Sequence, residues 1–391
     1  MIELKEALQI VLCSARLLAS EHTDICQALN RILAEDVTSD IDMPPFDKAV
    51  VDGYACRCSD IANTLTIIET IQAGVPPTRT IGPNQCAKIM TGGAIPQGAN
   101  CVIMIEHTEN VGEHAILFRG EQTPDNFCRK GEDIKIGEVV LKKGSRIGPQ
   151  HIAVAASVGH TRPLVAKRPS VAIIATGDEL VEPALKPGPS QIRNSNSFQL
   201  VAQVESVGAA VRDYGVVKDV TTEIDRVVKT AVSDNDVVIV SGGVSVGDLD
   251  LVPGILKQNK VKLLFEKIAV EPGKPTVFGI SDKTYFFGLP GNPVSTFVVF
   301  ELLVKPFFYK LMGCDYSPIS VRMPLGETIV RKNTERQSWI PVKVTNTGTV
   351  KQVEYHGSAH ILALCNADGL ISIEIGTANI EKGAMVPVRL I

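Results

Sequence analysis

Several residues that can bind phosphate or a metal ion follow apolar runs of this sequence. The apolar run DVVIV leads directly into SGGVSVGDLD, which supplies Gly242, Gly243, Ser245, Asp248 and Asp250. Glycine-rich loops present backbone N–H groups that bind phosphate, but carboxylates at the end of the same loop repel it. A divalent cation removes that repulsion, since Mg²⁺ binds through one or two carboxylates, waters and substrate phosphates. The segment therefore favours a ligand that brings phosphate and Mg²⁺ together.

Other polar residues follow further apolar runs in the same way. Glu179 of TGDEL follows an earlier run, Asp219 follows the next, and Asn292 with Pro293 in PGNPVS follows a later one. In an open parallel sheet, ligands bind beyond the carboxyl ends of the strands. Each acid alone could cap or start a helix, and Asn292 with Pro293 could begin an ordinary helix. Four such acids beside a nest of backbone amides favour one shared site.

Charged residues elsewhere extend this candidate site. FEKIAVEPGKP carries Lys267 and Lys274 around a Pro-Gly turn, although either could be an ordinary solvated lysine. Asp52 precedes Gly53 in PPFDKAVVDGYA, where an aspartate could simply stabilise a turn. If they belong to the site, these residues add two positive charges for an anionic ligand and one further carboxylate.

The elements that must position these residues alternate between strands and helices over residues 168–312. The predicted strands are SVAIIAT, RDYGVV, DVVIV, LLFEKIAV and TYFFGL, and the predicted helices are SFQLVAQVESVG, TEIDRVVKTAVSDN, LDLVPGILKQN and PVSTFVVFELLVKPFFYKLMG. Such alternation predicts a doubly wound, mostly parallel sheet with helices on both faces. The candidate residues would then meet at one edge of this α/β domain.

The remaining regions of the sequence do not show this alternation of strands and helices. Apolar spacing predicts a helix over residues 3–18, and a second short helix is predicted from Asp24 to Leu33. Short apolar runs between Gly and Pro indicate a β-rich module, and the C-terminal part returns to β structure with a hairpin around Asn346 to Gly348. The predicted domains are a discontinuous α+β linking domain (1–40 and 136–167), the β-rich module (41–135), the α/β domain (168–312) and a C-terminal domain (313–391).

The composition argues against several classes of function. The 391 residues carry a net charge of −4, which argues against a nucleic-acid-binding surface. No apolar run approaches the ~18 residues of a membrane span, and the N-terminus lacks the basic start of a signal peptide. Nine scattered cysteines indicate reduced thiols in a cytoplasm, and the histidines show no paired spacing with them for a zinc site.

Long motifs of this sequence occur in the order of one known family. They are PPFDKAVVDGYA, KIMTGGAIPQGANCVIMIEHT, KGEDI, ATGDELV, QIRNSN, SGGVSVGDLD, VEPGKP and FFGLPGNPVSTFVVFELLVKP. The chain resembles molybdopterin molybdenumtransferases of the bacterial MoeA type, and it is also similar to the C-terminal domain of gephyrin and to the corresponding plant domain. The resemblance extends along almost the whole chain.

The resemblance implies an enzyme of molybdenum cofactor biosynthesis with a MogA-like α/β domain and a C-terminal β-barrel-like domain. Such an enzyme inserts molybdate into adenylylated molybdopterin and releases AMP, with Mg²⁺ as cofactor. It is implied to be a cytoplasmic homodimer whose site forms where one subunit's α/β domain meets the partner's β-rich module. Molybdopterin adenylyltransferase and apo-molybdoenzymes are the implied transient partners, with no nucleic acid and no membrane.

The resemblance also implies roles for individual residues. Glu179, Asp219 and Asp250 would be catalytic, surround the nucleotide and hold the metal. Asp52 and Thr91 would act catalytically from the β-rich module. The implied substrate-binding residues are Gly242, Gly243, Ser245, Asn196, Lys267, Lys274, Asp133, Pro290, Pro293 and Ser358. In the resulting hypothesis Mg²⁺ polarises the phosphoanhydride while Asp52 or Glu179 orients the attacking oxygen.

Two positions depart from the family's pattern. Glu271 stands where a basic residue usually precedes the Pro-Gly turn, and Cys128 stands where the family often has arginine. Arg129 or Lys130 would offset the second change, whereas nothing obvious in the sequence offsets the first. Both changes reduce the positive charge that is available to an oxyanion.

These departures leave competing interpretations open. A weakly active or non-catalytic paralogue would bind or carry molybdopterin or its molybdenum cofactor. A molybdopterin adenylyltransferase is a further alternative, which the additional β-rich and C-terminal domains oppose. A scaffold protein is another, which no extended linker or fused module supports. Metal insertion by the full enzyme is the leading hypothesis.

Overall fold

The computed structural model describes residues 1–244 and 251–391, which contain three six-stranded sheets. One sheet has helices on both faces, and the other two are built almost entirely of strands and turns. The predicted combination of an α/β domain with β-rich domains is therefore confirmed. No helix among the described residues is long and apolar enough to cross a membrane.

The α/β domain is built on a sheet whose first four strands are parallel. Across the sheet the strands are Ala210–Val217, Ser170–Thr176, Val237–Ser241, Tyr285–Leu289, Val277–Ile280 and Lys262–Phe265, and each of the last two is antiparallel to the strand before it. Ala210–Val217, the next strand of this sheet along the chain, lies on one side of Ser170–Thr176. Val237–Ser241, the strand after that, lies on the other side. The topological switch point, where such sheets bind ligands, therefore lies beside Thr176 and Ser241.

Helices cover both faces of this sheet because its central strands have apolar side chains on both faces, which belong to two separate cores. Val171 and Ile173 pack into one core, whereas Ala172 and Ile174 pack into the other. The helices are Asn196–Ser206, Thr221–Asp234 and Val252–Gln258, followed by the consecutive segments Pro293–Val299, Phe300–Val304 and Lys305–Leu311. Phe300–Val304 is π-helical, so the predicted long helix is uninterrupted but is not α-helical throughout.

The predicted single strand LLFEKIAV is wrong, because the structure divides it between two sheets. Lys262–Phe265 joins the α/β sheet, whereas Val270–Glu271 pairs in parallel with Gln337–Val344 of the C-terminal sheet. Between them, Ala269 N donates to the carbonyl oxygen of Ile2 at 2.7 Å. The backbone of this stretch thus bonds to the α/β sheet, to Ile2 and to the C-terminal sheet in turn. As a result, the Pro-Gly turn that follows lies at the junction of two domains.

Two strand pairs join distant segments of the chain, residues 1–40 and 136–167, which the sequence predicts to form one linking domain. Its helix is Leu4–Ser14, shorter than the predicted 3–18 because the backbone becomes extended at Ala15. Its other elements are the helix Pro149–Ser157 and two antiparallel strand pairs, Ser20–His22 with Leu164–Ala166 and Val37–Thr38 with Val139–Leu141.

The predicted helix from Asp24 to Leu33 is also wrong. Only Ile25–Gln27 forms a 3₁₀ turn, which the Asp24 side chain caps. Asn30 has a φ of 64°, and Leu33 N donates to the carbonyl oxygen of Ser145 at 3.0 Å. Backbone bonds to a neighbouring segment therefore replace the helical bonds that apolar spacing alone predicted.

The β-rich module contains a mixed sheet with apolar side chains on both faces. Its strand order is Cys101–Met104, Gly53–Cys56, Gln85–Ile89, Leu65–Ile71, Ala115–Phe118 and Thr108–Asn110. A separate antiparallel pair joins Lys48–Ala49 to Phe127–Cys128. That pair places the motif PPFDKAVVDGYA beside the segment NFCRKGED.

The C-terminal sheet receives one strand from the α/β region. Its order is Val270–Glu271, Gln337–Val344, Gly369–Ile373, Met385–Leu390 and Ser320–Pro324, with Val350–Gln352 as a second partner of Gln337–Val344. The predicted hairpin is confirmed, and Gly348 turns it with a φ of 74°. The remaining elements are the strand pair Ile329–Val330 with Asn379–Ile380 and the short helix Leu362–Cys365.

Candidate functional site

A cavity of about 1090 Å³ opens between the carboxyl ends of the α/β strands and the C-terminal sheet. Thr176 and Ser241, the last residues of the two strands at the switch point, lie in its wall, and Ile340 lines it from the C-terminal sheet. Small-molecule sites usually enclose roughly 300–1,000 Å³, so this cavity has room for a ligand of dinucleotide size.

The cavity brings together many of the residues predicted for the site. Those in its wall are Glu179, Asn196, Asp219, Gly242, Gly243, Lys274, Pro290, Pro293 and Ser358. Four others do not line it, namely Asp52, Thr91, Asp133 and Lys267. Ser245 and Asp250 lie outside the described residues, as does Asp248.

Gly242 and Gly243 begin the loop in which the sequence predicts a nest of amides, and Gly242 N donates to the carbonyl oxygen of Leu289 at 3.1 Å. Their φ angles are 95° and 63°, in the region that favours glycine. A Cβ at Gly242 would lie 2.4 Å from the carbonyl oxygen of Thr176, and one at Gly243 would lie 2.9 Å from Thr176 Oγ1. Glycine is therefore required both by backbone conformation and by the close approach of the neighbouring strand end.

Replacing Gly242 by alanine is expected to lower the free energy of unfolding by about 2 kcal/mol, because strain and a steric clash add. Gly348→Ala is the matched control, since Gly348 also has a positive φ but an added Cβ there meets no atom within 4 Å. That control is expected to cost only about 1 kcal/mol. Denaturant unfolding of both variants measures the difference, and equal losses would show that the close approach to Thr176 is unimportant.

Two buried polar atoms in the cavity wall have no hydrogen-bond partner among the described residues. They are Thr176 Oγ1 and Asn196 Oδ1. Asn196 Nδ2 donates to Ser241 Oγ and to the carbonyl oxygen of Gly291, both at 2.8 Å, so its amide is held in place. Buried polar atoms in native proteins normally have partners. A ligand that donates a hydrogen bond to Asn196 Oδ1 would supply the partner that this buried oxygen lacks.

The acidic side of the cavity is formed by Glu179 and Asp219, which follow adjacent parallel strands. Mg²⁺ commonly binds through one or two carboxylates while phosphate oxygens and waters complete its coordination. Two carboxylates in the same wall as the Gly242–Gly243 loop therefore fit Mg²⁺ that arrives with a phosphate. Within residues 1–244 and 251–391, no group of three His, Cys, Asp or Glu side chains is arranged to hold a metal by itself.

The basic side of the cavity includes a residue that the motifs did not indicate. Lys274 lies in the wall. Arg336, which directly precedes the strand Gln337–Val344 of the C-terminal sheet, also lies there. Arg336 Nη2 lies 3.3 Å from Glu271 Oε2. Arg336 therefore supplies a positive charge beside Glu271 that the sequence motifs did not indicate. It stands 65 positions later in the chain, and the parallel pairing of Val270–Glu271 brings it alongside.

Ser358 reaches the cavity from the C-terminal domain and bonds to a loop of the α/β domain. Asn292 Nδ2 donates to Ser358 Oγ at 2.7 Å, and Val294 N donates to the carbonyl oxygen of Ser358 at 3.0 Å. Pro290 and Pro293 flank Asn292 in the same wall. These bonds fix the two domains to each other at the cavity, so groups from both can act on one ligand.

Asp52 and Thr91 form a separate pair on the surface of the β-rich module. Thr91 donates to Asp52 Oδ1 through its backbone N at 2.7 Å and through Oγ1 at 2.8 Å. These bonds lower the pKa of Asp52, the backbone bond first and the hydroxyl bond second. Asp52 is thus an exposed, ionised carboxylate in a fixed orientation, as the orienting role requires.

A Thr91→Val variant is expected to raise the pKa of Asp52 toward its ordinary value, because the hydroxyl donor is lost while the backbone donor remains. An NMR titration of the Asp52 carboxyl group measures this change directly. Thr108→Val is the control, since Thr108 Oγ1 donates to the carbonyl oxygen of Ile105 and not to a carboxylate. An unchanged pKa in Thr91→Val would mean that the hydroxyl does not stabilise the charged form.

The remaining predicted residues lie elsewhere. Asp133 is exposed in the β-rich module, where its backbone N donates to the carbonyl oxygen of Met43. Lys267 is half-buried outside the cavity wall. The two cations expected to offset Cys128 are already paired, Arg129 with Asp125 at 2.8 Å and Lys130 with Asp42 at 3.5 Å.

Comparison with protein families gives matches to three consecutive regions. The MoeA N-terminal region (domain I and II) matches residues 2–159, a probable molybdopterin binding domain matches residues 172–310, and the MoeA C-terminal region (domain IV) matches residues 327–391. The cavity wall combines residues from the second and third of these regions.

Similar proteins match along the full length. The chain is 36% identical over 399 residues to the molybdopterin molybdenumtransferase of Staphylococcus epidermidis and 36% identical over 402 residues to that of Staphylococcus aureus Mu50, covering 100% of this chain and 95% of each relative. The crystal structure of the molybdopterin biosynthesis moeA protein from Pyrococcus horikoshii OT3 superimposes with a TM-score of 0.86 at 30% identity, covering 100% of both chains. A second structure of the moeA protein from the same organism has a TM-score of 0.81 at 31% identity, covering 100% of this chain and 99% of that one.

Proposed function

Because the chain belongs to the MoeA family of molybdopterin molybdenumtransferases, we propose that it inserts molybdate into adenylylated molybdopterin and releases AMP. The observation that supports this reaction most is the composition of one cavity. The Gly242–Gly243 loop, the carboxylates of Glu179 and Asp219, and the cations of Lys274 and Arg336 all lie in its wall. A substrate with a phosphoanhydride and a dianionic oxyanion needs all three kinds of group.

In this proposal the Gly242–Gly243 loop and the acids bind the adenylylated end of the substrate. The amide of Gly243 would donate to phosphate oxygens, since Gly242 N already donates to the carbonyl oxygen of Leu289 at 3.1 Å. Glu179 and Asp219 would hold Mg²⁺ beside that phosphate, and Asp250, the third acid of the proposal, lies outside the described residues. When bound, Mg²⁺ supplies neutralisation of charge on the phosphoanhydride. Asn196 Oδ1 accepts a hydrogen bond from an N–H or O–H group of the ligand.

Lys274 and Arg336, which also lie in the cavity wall, would bind molybdate, with Ser358 as a hydrogen-bond donor. Their positive charges offset the repulsion between a dianion and the thiolates of the substrate. Glu179, which also lines the cavity, would orient the attacking oxygen. Asp52 can take that role only if a second subunit delivers it, since it does not line the cavity of its own chain.

We therefore include a homodimer in the proposal, in which the β-rich module of one subunit faces the cavity of its partner. Exposed apolar side chains in the motif that precedes Asp52 support a contact there, namely Phe46 and Val50. A cytoplasmic location is proposed because the nine cysteines are all free thiols. Molybdopterin adenylyltransferase as donor and apo-molybdoenzymes as acceptors would be transient partners.

The proposal is tested by incubating purified protein with adenylylated molybdopterin, Mg²⁺ and molybdate. AMP release that depends on molybdate, together with reconstitution of an apo-molybdoenzyme, is the expected result. Tight binding of the substrate without turnover would favour a paralogue that carries the cofactor. Consumption of ATP with unmodified molybdopterin would favour an adenylyltransferase instead.

A further inference from the structure

The cavity contains a carboxylate on its basic side, where an anionic substrate would bind. Glu271 lies in the wall together with Lys274 and Arg336, and its Oε2 is 3.3 Å from Arg336 Nη2. An arginine that serves an oxyanion is thus already paired with an internal anion. We propose that Glu271 competes with the substrate oxyanion for Arg336, and thereby sets the affinity and the charge selectivity of the site. This inference rests on the proposed function.

The ion pair is built into the backbone of two domains. Val270 pairs with Gln337 and Glu271 pairs with Ser338 in parallel register. Arg336 directly precedes the strand Gln337–Val344, so it lies diagonally across from Glu271, two positions before Ser338. Arg331 Nη2 donates to the carbonyl oxygen of Arg336 at 2.6 Å, which fixes the start of the second strand. The carboxylate therefore stays beside the guanidinium when no ligand is bound.

Solvent screens this pair only in part. The side chains of Arg336 and Glu271 are 23% and 41% exposed. The charge of Glu271 also reaches a neighbouring group of the wall, because burial and then this charge raise the pKa of Tyr355 to about 12. Tyr355 therefore stays neutral near pH 7 and does not replace the lost anion when Glu271 is changed.

Simple electrostatics gives the direction and the selectivity of the effect. An oxyanion that approaches Arg336 and Lys274 also approaches the carboxylate of Glu271, and this repulsion is proportional to the charge of the ligand. Removing the carboxylate charge should strengthen binding of a dianion more than binding of a monoanion of the same shape. A merely structural role of Glu271 would not discriminate between the two ligands.

The test uses the purified full chain and two tetrahedral oxyanions, molybdate with two charges and perrhenate with one. In Glu271→Gln, calorimetric titration is expected to give a dissociation constant for molybdate about tenfold lower than in the wild type, and one for perrhenate about threefold lower. Glu266→Gln is the matched control. Glu266 is 44% exposed and pairs with Lys257 at 2.8 Å, but it does not line the cavity.

Three results would overturn the inference: unchanged or weaker molybdate binding in Glu271→Gln, equal gains for the two anions, or an equal gain in Glu266→Gln. A Lys274→Gln variant separates this failure from failure of the proposed function. Weaker molybdate binding in Lys274→Gln, with no gain in Glu271→Gln, would reject only the role of Glu271. If wild type, Glu271→Gln and Lys274→Gln all fail to bind molybdate, both the inference and the proposed oxyanion site are overturned.

Discussion

An Asp219→Asn variant is expected to release AMP about 10²–10³-fold more slowly than the wild type, because one of two carboxylates that would hold Mg²⁺ in the cavity is lost. Glu179→Gln is expected to behave in the same way, since both side chains line the same wall. The concentration of Mg²⁺ required for half-maximal activity should rise in both variants, and chelation of Mg²⁺ should abolish the wild-type activity. AMP release measured over a series of Mg²⁺ concentrations tests all of these effects.

Glu182→Gln provides the control for the loss of one negative charge. Glu182 is exposed directly after the short strand Leu180–Val181, which follows Glu179, and it does not line the cavity. Its activity and its Mg²⁺ requirement should equal those of the wild type. Wild-type rates in both Asp219→Asn and Glu179→Gln would contradict the assignment of this edge of the sheet as the metal-binding side.

The second large effect is expected from Asp52. Asp52→Asn keeps the shape of the side chain but removes the charge that Thr91 stabilises, and AMP release should fall about 10²-fold. Since Asp52 does not line the cavity of its own chain, a partner subunit with an intact Asp52 should restore the activity. Mixing Asp52→Asn with Lys274→Gln after subunit exchange should restore about one quarter of the wild-type activity, because half of the dimers then contain one intact site of two.

Each variant alone, mixed with itself under the same exchange conditions, is the control for this complementation. Neither should regain activity, because every site in such a dimer lacks either Asp52 or Lys274. A mixture that stays as inactive as its components, despite confirmed exchange of subunits, would contradict a site shared between two chains. Near-normal AMP release by Asp52→Asn itself would remove Asp52 from the reaction altogether.

The α/β part of the site could be predicted from the sequence because it depends on local patterns. Apolar runs mark the strands, and the residues that follow them must meet at one edge of a parallel sheet. Glu179, Asp219 and the Gly242–Gly243 loop therefore lie together, although they are distant in the chain. The antiparallel strand Val277–Ile280, which lies outside the predicted strands, leaves this edge unchanged.

The contribution of Arg336 could not be predicted, because it depends on a pairing between two domains. No motif marks Arg336, and it reaches the cavity only because Val270–Glu271 leaves the α/β sheet and joins the C-terminal sheet. The same apolar pattern fits one long strand or two short ones, since periodicity does not specify the partner. The wrong helix from Asp24 to Leu33 has a similar cause, namely backbone bonds to distant residues.

The central claim is that molybdate binds between the α/β domain and the C-terminal sheet. Diffraction from crystals soaked in molybdate, recorded at the absorption edge of molybdenum, locates the metal directly. The account predicts an anomalous peak inside the cavity, next to Lys274 and Arg336, which is lost in crystals of Lys274→Gln. Peaks found only outside the cavity, or a cavity peak that persists unchanged in Lys274→Gln, would contradict it.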